Sequence, residues 1–206
     1  MKYIKKQTEP HIFAQWKEDR LEKGKRTTYD NLHGKEKREV KASLMREQGY
    51  LCCYCECRLI EADSHIEHFC PRTRFSCLEL EYGNLLCSCM KERETGVPLH
   101  CGHLKDEWYD PNMPSPLEPN THTRFLIYGN GEIKSTDPTN CIAQTMIEKL
   151  GLDSRNMQDK RKKAIDGFLD SLLPQEDFVL AIQSYLRPNN EGILNEYWSA
   201  ISDQMR

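Results

Sequence analysis

Cysteine placement constrains this chain more than any other feature of its sequence. Nine of its ten cysteines lie between Cys52 and Cys101, and Cys141 stands apart. In a small secreted protein this density would indicate disulfide bonds. This chain has 206 residues and no apolar segment after its charged N-terminus, so a signal peptide is not expected. We therefore expect a reducing cytoplasm, where clustered cysteines more often hold a metal ion.

The spacing Cys52-x-x-Cys55 predicts half of a tetrahedral metal site, because a tight turn brings both thiolates to one ion. The candidates for the other half are Cys87, Cys89, Cys101, His100 and His103. The predicted ion is a structural zinc, since a short β region has too small a core to hold itself together. Cys70 and Cys77 are expected to be spare, buried thiols that pack like small hydrophobic side chains. A thioredoxin-like redox site is disfavoured, because no βαβ pattern surrounds the first pair.

Charge is distributed unevenly, although the net charge is only -3. Residues 1–49 carry 13 Lys and Arg against 8 Asp and Glu, whereas residues 50–110 carry 6 against 11. The basic N-terminal part can attract a phosphate backbone, but a solvated helix face of mixed charge explains it equally well. A mean hydropathy of -0.75, with no apolar run near the length of about 18 residues that a membrane helix needs, excludes a transmembrane span.

Apolar periodicity predicts helices on both sides of the cysteine-rich part. On the N-terminal side, residues 9–22 and 35–48 have a helical pattern, the second with Val40, Leu44 and Met45 on one face. On the C-terminal side, four segments have one: residues 142–150, 154–172, 178–186 and 193–201. The apolar face of the second of these segments consists of Met157, Ala164, Ile165, Phe168, Leu169 and Leu172, and Pro174 stops it.

Two segments between these helices have turn chemistry. Residues 110–119 contain four prolines, which remove backbone donors and predict a linker or a wrapping loop. Residues 124–134 have apolar residues on either side of Gly129-Asn130-Gly131, which predicts a β-hairpin.

A second concentration of chemical groups lies between the cysteine pairs, at Ser64-His65-Ile66-Glu67-His68-Phe69-Cys70-Pro71. In a strand, alternation would place His65 and Glu67 on one face and His68 on the other, so these side chains cannot simply share one ion. A turn before Pro71 lets Glu67 and His68 face a common cleft. Further along the chain, Asn84 is suited to fixing a loop through its amide.

With Asn84 and His103, the Glu67-His68-x-x-Pro71 motif resembles the HNH (ββα-metal, His-Me finger) nucleases over about residues 48–108. The register of that family implies that Cys89, not Cys87, is the third zinc ligand. This chain departs from the family pattern in two ways. It has Glu67 where Asp is commoner, and it has an insertion at 90–100 that leaves His100 as a competitor of His103.

A closer resemblance covers nearly the whole chain. The segments that carry it are Met1-Lys-Tyr-Ile-Lys-Lys, Leu51-Cys-Cys-Tyr-Cys-Glu, Ile66-Glu-His-Phe-Cys-Pro-Arg, Asn84-Leu-Leu-Cys-Ser-Cys and His100-Cys-Gly-His-Leu-Lys, which look like the PtuB-type nuclease subunits of Septu and some retron anti-phage systems. The resemblance implies an ABC-type ATPase partner of the PtuA type. In retron systems it also implies a reverse transcriptase with its DNA–RNA hybrid.

The resemblance implies an α+β fold with a zinc-braced ββα-metal core at residues 49–110. A basic helical segment (1–48) precedes this core, and a mainly helical tail with one β-hairpin (111–206) follows it. The tail is the expected docking region. It implies a zinc quartet of Cys52, Cys55, Cys89 and Cys101, which leaves Cys53, Cys57, Cys70, Cys77, Cys87 and Cys141 as free thiols.

The catalytic roles implied by the resemblance centre on His68, the expected general base for hydrolysis of a DNA or RNA phosphodiester, for example in tRNA. Asn84 would hold the loop and so orient His68. Glu67 and His103 would together bind Mg²⁺ or Mn²⁺. The candidates for phosphate contacts are Arg72, Arg74 and Lys105. The alternative is a non-catalytic zinc module that binds nucleic acid or protein.

Overall fold

The computed structural model describes residues 1–92, 96, 98–169 and 174–205, which form seven α-helices and two antiparallel two-stranded sheets. The helices are α1 (His11–Glu22), α2 (Gly34–Glu47), α3 (Gly102–Lys105), α4 (Cys141–Lys149), α5 (Arg155–Leu169), α6 (Gln175–Tyr185) and α7 (Trp198–Ser202). The strands are β1 (Ser64–His68), β2 (Leu85–Cys89), β3 (Phe125–Ile127) and β4 (Ile133–Ser135). The fold is mixed α and β, as predicted.

Strands β1 and β2 form the sheet that carries the histidine motif. They pair antiparallel, with Ser64 opposite Cys89 and His68 opposite Leu85. All five residues of β2 are buried, so this strand forms part of the core and β1 lies beside it. The register places the last residue of β1 next to the first residue of β2, and therefore near Asn84.

Helix α2 covers this sheet, and its apolar face agrees with the prediction, since Val40, Leu44 and Met45 are buried. Gln48 follows its last turn and is buried. The Gln48 side-chain amide donates to the carbonyl oxygens of Leu51 (2.7 Å) and Cys87 (2.8 Å), and its oxygen accepts from the Cys87 amide (2.7 Å). This side chain therefore joins the helix, strand β2 and the first cysteine pair.

The predicted hairpin is confirmed as β3 and β4, joined across the Gly129-Asn130-Gly131 turn. The helical pattern that follows is confirmed by α4 and α5, and Met146, Ile147, Met157 and Ile165 are buried. Of the predicted face of α5, Leu172 and the side chain of Leu169 lie outside the residues that the structure describes.

The helix predicted over 193–201 is wrong in its first half, because α7 begins only at Trp198. The backbone amides before it have other acceptors: Leu194 donates to the carbonyl of Gly49 (3.1 Å) and Tyr197 to that of Glu56 (3.0 Å). The Glu56 carboxylate also accepts from the backbone N–H and the hydroxyl of Ser199, both at 2.6 Å. Tertiary hydrogen bonds to the first cysteine pair thus replace the helical ones in this segment.

The proline-rich passage is a wrapping loop rather than an open linker. Residues 113–116 are buried, and the carbonyl oxygen of Pro116 accepts from the backbone N–H of Ile4 at 2.7 Å. One hydrophobic core includes residues from the N-terminal, cysteine-rich and C-terminal parts, for example Val40, Leu86 and Ile201.

Within the part of the chain that the structure describes, no helix combines the length and the apolar character needed to cross a bilayer.

Candidate metal and catalytic site

Four cysteines form a compact cluster of sulfur atoms. Ligand atoms of Cys52, Cys55, Cys89 and Cys101 all lie within 4.8 Å of one another, and all four residues are buried. The Sγ atoms of Cys55 and Cys89 are 3.7 Å apart, close to the roughly 3.8 Å expected between two thiolates bound about 2.3 Å from a tetrahedral zinc ion. The donor set therefore fits a metal, and its members are those predicted from the sequence.

The first pair lies on a tight turn that its own backbone closes. Leu51 and Arg58 form an isolated antiparallel bridge, and inside it the backbone N–H of Cys52 donates to the carbonyl oxygen of Cys57 at 2.9 Å. Glu56 completes the turn with a φ of 64°. This geometry directs the side chains of both cysteines to the same side.

Three further residues named in the sequence analysis lie in or near the surroundings of the cluster. Nδ1 of His100 lies 3.1 Å from the sulfur of Cys101 and 3.8 Å from that of Cys89, so this imidazole lies against the thiols. Cys87 is outside the group, and its backbone is bound to Gln48. Cys57, expected to be free, has its sulfur 3.3 Å from that of Cys55. The expected burial of two spare thiols is wrong, since Cys70 is half-buried and Cys77 is exposed.

The four thiols differ in their tendency to ionise, since the pKa of Cys52 is lowered whereas the pKa values of Cys55, Cys89 and Cys101 are raised. Burial opposes ionisation of Cys52, but hydrogen bonds from the thiols of neighbouring cysteines outweigh it and hold the pKa of Cys52 well below its usual range. A thiolate is the form that binds metal ions.

Glu67 projects from β1 into a buried polar environment. Its Oε1 accepts from the hydroxyl of Tyr54 (3.1 Å) and pairs with the ammonium of Lys105 (3.0 Å). Its Oε2 lies 3.6 Å from Nε2 of His65. Burial raises the pKa of Glu67, but the polar contact with His65 and the positive charge of Lys105 outweigh it, so the pKa is lowered and the carboxylate is ionised at neutral pH.

His65 lies beside Glu67 and was not among the site residues predicted from the sequence. Strand alternation places it on the face of Glu67, and that was the available signal. His103, which was predicted as an ion ligand, has its Nε2 3.0 Å from the carbonyl oxygen of Lys91. Its ring centroid is 5.1 Å from that of His65. Among the described residues, only the cysteine cluster brings three or more possible metal-ligand atoms within 4.8 Å of one another. His65, Glu67 and His103 do not come that close together.

The structure places Lys105 differently from the phosphate contact that was predicted. The residue is 2% exposed, and its ammonium pairs with Glu67 and donates to the carbonyl oxygen of His68 at 3.1 Å. It therefore links helix α3 to the end of β1. In this arrangement the positive charge of Lys105 is paired with the carboxylate of Glu67 and is not exposed at the protein surface.

His68 ends β1 and is only partly buried. Its Nε2 lies 3.0 Å from the carbonyl oxygen of Glu79, which accepts only an N–H, so the lone pair of the neutral ring is on Nδ1. The edge of Tyr29 packs against the imidazole, with ring centroids 4.5 Å apart. Burial lowers the pKa of His68, and the ring is neutral at pH 7.

Asn84 bridges the loop that follows His68. Its Oδ1 accepts from the backbone N–H of Cys70 (2.7 Å), and its amide donates to the carbonyl oxygens of Cys70 (3.0 Å) and Leu78 (3.1 Å). The backbone of Phe69 also donates to the Asn84 carbonyl at 3.0 Å. These bonds have the geometry expected of a residue that holds this loop against β2.

Basic side chains gather beside His68 around the ring of Tyr29. The guanidinium of Arg72 lies 5.4 Å and the ammonium of Lys37 4.7 Å from the ring centroid. Arg72 also forms a 2.5 Å ion pair with Asp30, whose side chain is 75% exposed. Arg74 lies further along, 3.4 Å from the carbonyl oxygen of Tyr109. The N-terminal segment therefore contributes a cation and an aromatic ring to the surroundings of His68.

The chain matches none of the protein-family models compared with it. It is 30% identical over 139 residues to a protein of Vibrio cholerae serotype O1 biovar El Tor named "Retron Vc95 putative HNH endonuclease". The alignment covers 63% of this chain and 65% of that relative, which is just under two thirds of the relative's length. Together with the thiol cluster and the arrangement of Glu67, His68 and Asn84, this similarity supports a relationship between the chain and the HNH endonucleases.

Proposed function

We propose that this chain is a metal-dependent HNH endonuclease that hydrolyses phosphodiester bonds of nucleic acid. The observation that carries the proposal is the pair Glu67-His68 at the end of β1, with one side chain buried as a carboxylate and the other a neutral imidazole. A relative named as an HNH endonuclease supports the same chemistry.

His68 is the proposed general base. Because its Nε2–H is directed to the Glu79 carbonyl, Nδ1 is the nitrogen that takes the proton from the attacking water. Burial lowers the pKa of the ring, which keeps it neutral and able to accept that proton at pH 7. Asn84 holds the loop after His68 and so keeps the imidazole in place.

Glu67 is the proposed anchor of a divalent ion, Mg²⁺ or Mn²⁺. Its Oε1 is held by Tyr54 and Lys105, which leaves Oε2 as the oxygen that can bind an ion. When bound, such an ion would neutralise charge on the scissile phosphate and stabilise the leaving oxygen. Lys105 is a positioning residue that keeps the carboxylate ionised and oriented.

The cysteine quartet is the proposed structural zinc site. Its four sulfurs lie between the first turn, β2 and the start of α3, which are the elements that carry Glu67's neighbours. A closed thiolate site holds such elements together without taking part in the reaction.

Arg72, Arg74 and Lys37 are the proposed phosphate contacts, and DNA and RNA are both candidate substrates. The 111–206 region is the proposed docking region for a PtuA-like ABC-type ATPase in an anti-phage complex. The relative's name supports a retron setting, and hence a reverse transcriptase with its DNA–RNA hybrid as further partners.

The test is cleavage of supercoiled plasmid and of structured RNA by the zinc-replete chain, alone and co-expressed with an ATPase encoded next to it. We expect nicking that EDTA abolishes and that Mg²⁺ or Mn²⁺ restores. Tight binding of either nucleic acid without cleavage, in both preparations and with every ion, would support the non-catalytic zinc module instead.

A further inference from the structure

We propose that the catalytic ion is bound by His65 together with Glu67, that His103 is not its ligand, and that the site prefers Mn²⁺ to Mg²⁺. This inference rests on the proposed function, because it names the ion site of that reaction. It assigns a role to a histidine that the family resemblance does not use.

The two atoms that would bind the ion already face each other. Oε1 of Glu67 is occupied by two donors, whereas Oε2 lies 3.6 Å from Nε2 of His65. That distance exceeds an ordinary hydrogen bond. Two ligands each about 2.1 Å from an octahedral ion lie about 3 Å apart, so a small side-chain movement brings both atoms to a common ion.

The start of helix α3 lies against the same two atoms at Gly102. A Cβ added to Gly102 would lie 2.6 Å from Oε2 of Glu67 and 2.7 Å from Nε2 of His65. Real Cβ atoms are not found so close to such atoms, so no larger residue fits here without displacing one of them. A glycine at this position therefore allows one carboxylate oxygen and one imidazole nitrogen to converge beside the start of α3.

One ring nitrogen of His65 has no partner, and the other has only a long contact. Its Nδ1 is buried without a hydrogen-bond partner among the described residues, and its Nε2 is beyond hydrogen-bond length from Glu67. Leaving buried nitrogen atoms unsatisfied is costly. Coordination through Nε2 would give that nitrogen the close partner that Glu67, at 3.6 Å, does not provide.

His103 is placed less well for the same task. Its Nε2 is engaged by the carbonyl oxygen of Lys91, and it does not form a three-ligand group with His65 and Glu67. The choice of ion follows from the donor set. An imidazole beside a carboxylate suits transition ions better than Mg²⁺, which prefers oxygen and water.

The test is direct binding of Mn²⁺ to the zinc-replete full chain, followed by the electron paramagnetic resonance signal of free Mn²⁺. We expect His65→Ala and Glu67→Gln each to weaken binding about tenfold or more, the scale seen when a metal's supporting groups are removed. His103→Ala should change it less than about twofold. Competition by Mg²⁺ should require a large excess.

Gly102→Ala provides a second variant in case His65→Ala does not fold, because it should weaken Mn²⁺ binding by filling the site. Zinc content and circular dichroism serve as the folding controls.

The inference would be overturned if His65→Ala and Gly102→Ala both fold and bind Mn²⁺ with unchanged affinity. A larger loss of affinity in His103→Ala than in His65→Ala would overturn it as well. If His65→Ala binds Mn²⁺ normally while the chain still cleaves, only this inference fails. If Mn²⁺ binding depends on His65 but no nucleic acid is cleaved, the proposed function fails and the site stands.

Discussion

The cysteine cluster and the histidine–carboxylate site lie side by side but are built in opposite ways. The cluster is closed, since all four residues are buried and their sulfurs converge on one point. At the second site only one carboxylate oxygen of Glu67 is left for a ligand, and His68 remains partly exposed. A closed site can stabilise a fold, whereas chemistry needs open coordination positions and access for substrate. We therefore expect changes at the cluster to lower the free energy of unfolding most, and changes around His68 to lower it least.

The largest effect is expected for Cys55→Ala. Removal of one of four buried ligands should release the zinc and cost about 4 kcal/mol or more of unfolding free energy, a size typical of lost metal sites. Zinc content and thermal unfolding measure it. Cys77→Ala is the matched control, because that cysteine is exposed and outside the cluster. A zinc-replete, equally stable Cys55→Ala protein would contradict the assignment.

Lys105→Met should be the next most destabilising change. It leaves the buried carboxylate of Glu67 without its ion-pair partner, and loss of one member of a buried pair costs about 3 kcal/mol or more. Denaturant unfolding measures this, with Lys163→Met on the exposed face of α5 as the control. The double change Lys105→Met with Glu67→Gln should recover part of the loss. If the single variant is as stable as the control, the ion pair does not hold Glu67.

Asn84→Ala should cost about 1–2 kcal/mol, because it leaves backbone groups of Cys70 and Leu78 without partners. Its effect on cleavage should be larger than its effect on stability, because the loop after His68 loses its support. Thermal unfolding and the cleavage rate, measured on the same preparation, separate the two effects. A variant that loses stability but cleaves normally would limit Asn84 to a structural role.

The pH dependence should be the smallest effect on stability. Burial lowers the pKa of His68 below 6.5, so the unfolded chain takes up this proton at a higher pH than the folded one. The contribution of His68 to stability is therefore fully present above pH 6.5 and decreases as the pH falls below it. The free energy of unfolding of His68→Ala should depend less on pH than that of the wild type over that range. Burial also lowers the pKa of His100, but both proteins contain His100, so its contribution cancels in the comparison. Equal slopes for the two proteins would contradict a depressed pKa for His68.

The two sites also differ in how far the sequence predicts them. The thiol quartet was identifiable because Cys52-x-x-Cys55 fixes one half of a tetrahedral site and the family register selects Cys89. His100 was named among the candidate ligands, but its position beside the sulfurs is visible only in the structure. His65 was not among the predicted ion ligands for a related reason, because its convergence with Glu67 beside Gly102 is visible only in three dimensions.

The same contrast holds for the fold. Helix α2, the β-hairpin, α4 and α5 follow from local periodicity and turn residues, and they were predicted. The segment before α7 has a helical pattern but forms no helix, because its backbone N–H groups donate to the carbonyl oxygens of Gly49 and Glu56, which are distant in the sequence. Lys105 is a further case, since a lysine is normally exposed and only its buried partner Glu67 explains its position.

The central claim, that the cluster supports the fold while the second site carries the reaction, is tested most directly by one paired measurement. The cleavage rate and the zinc content of His68→Ala are compared with those of His11→Ala, a change at an exposed histidine. The account predicts that His68→Ala loses about a hundredfold or more in rate, the scale of general-base catalysis, while its zinc content stays equal to that of the control. Cleavage at the control rate by a folded, zinc-replete His68→Ala protein would contradict it.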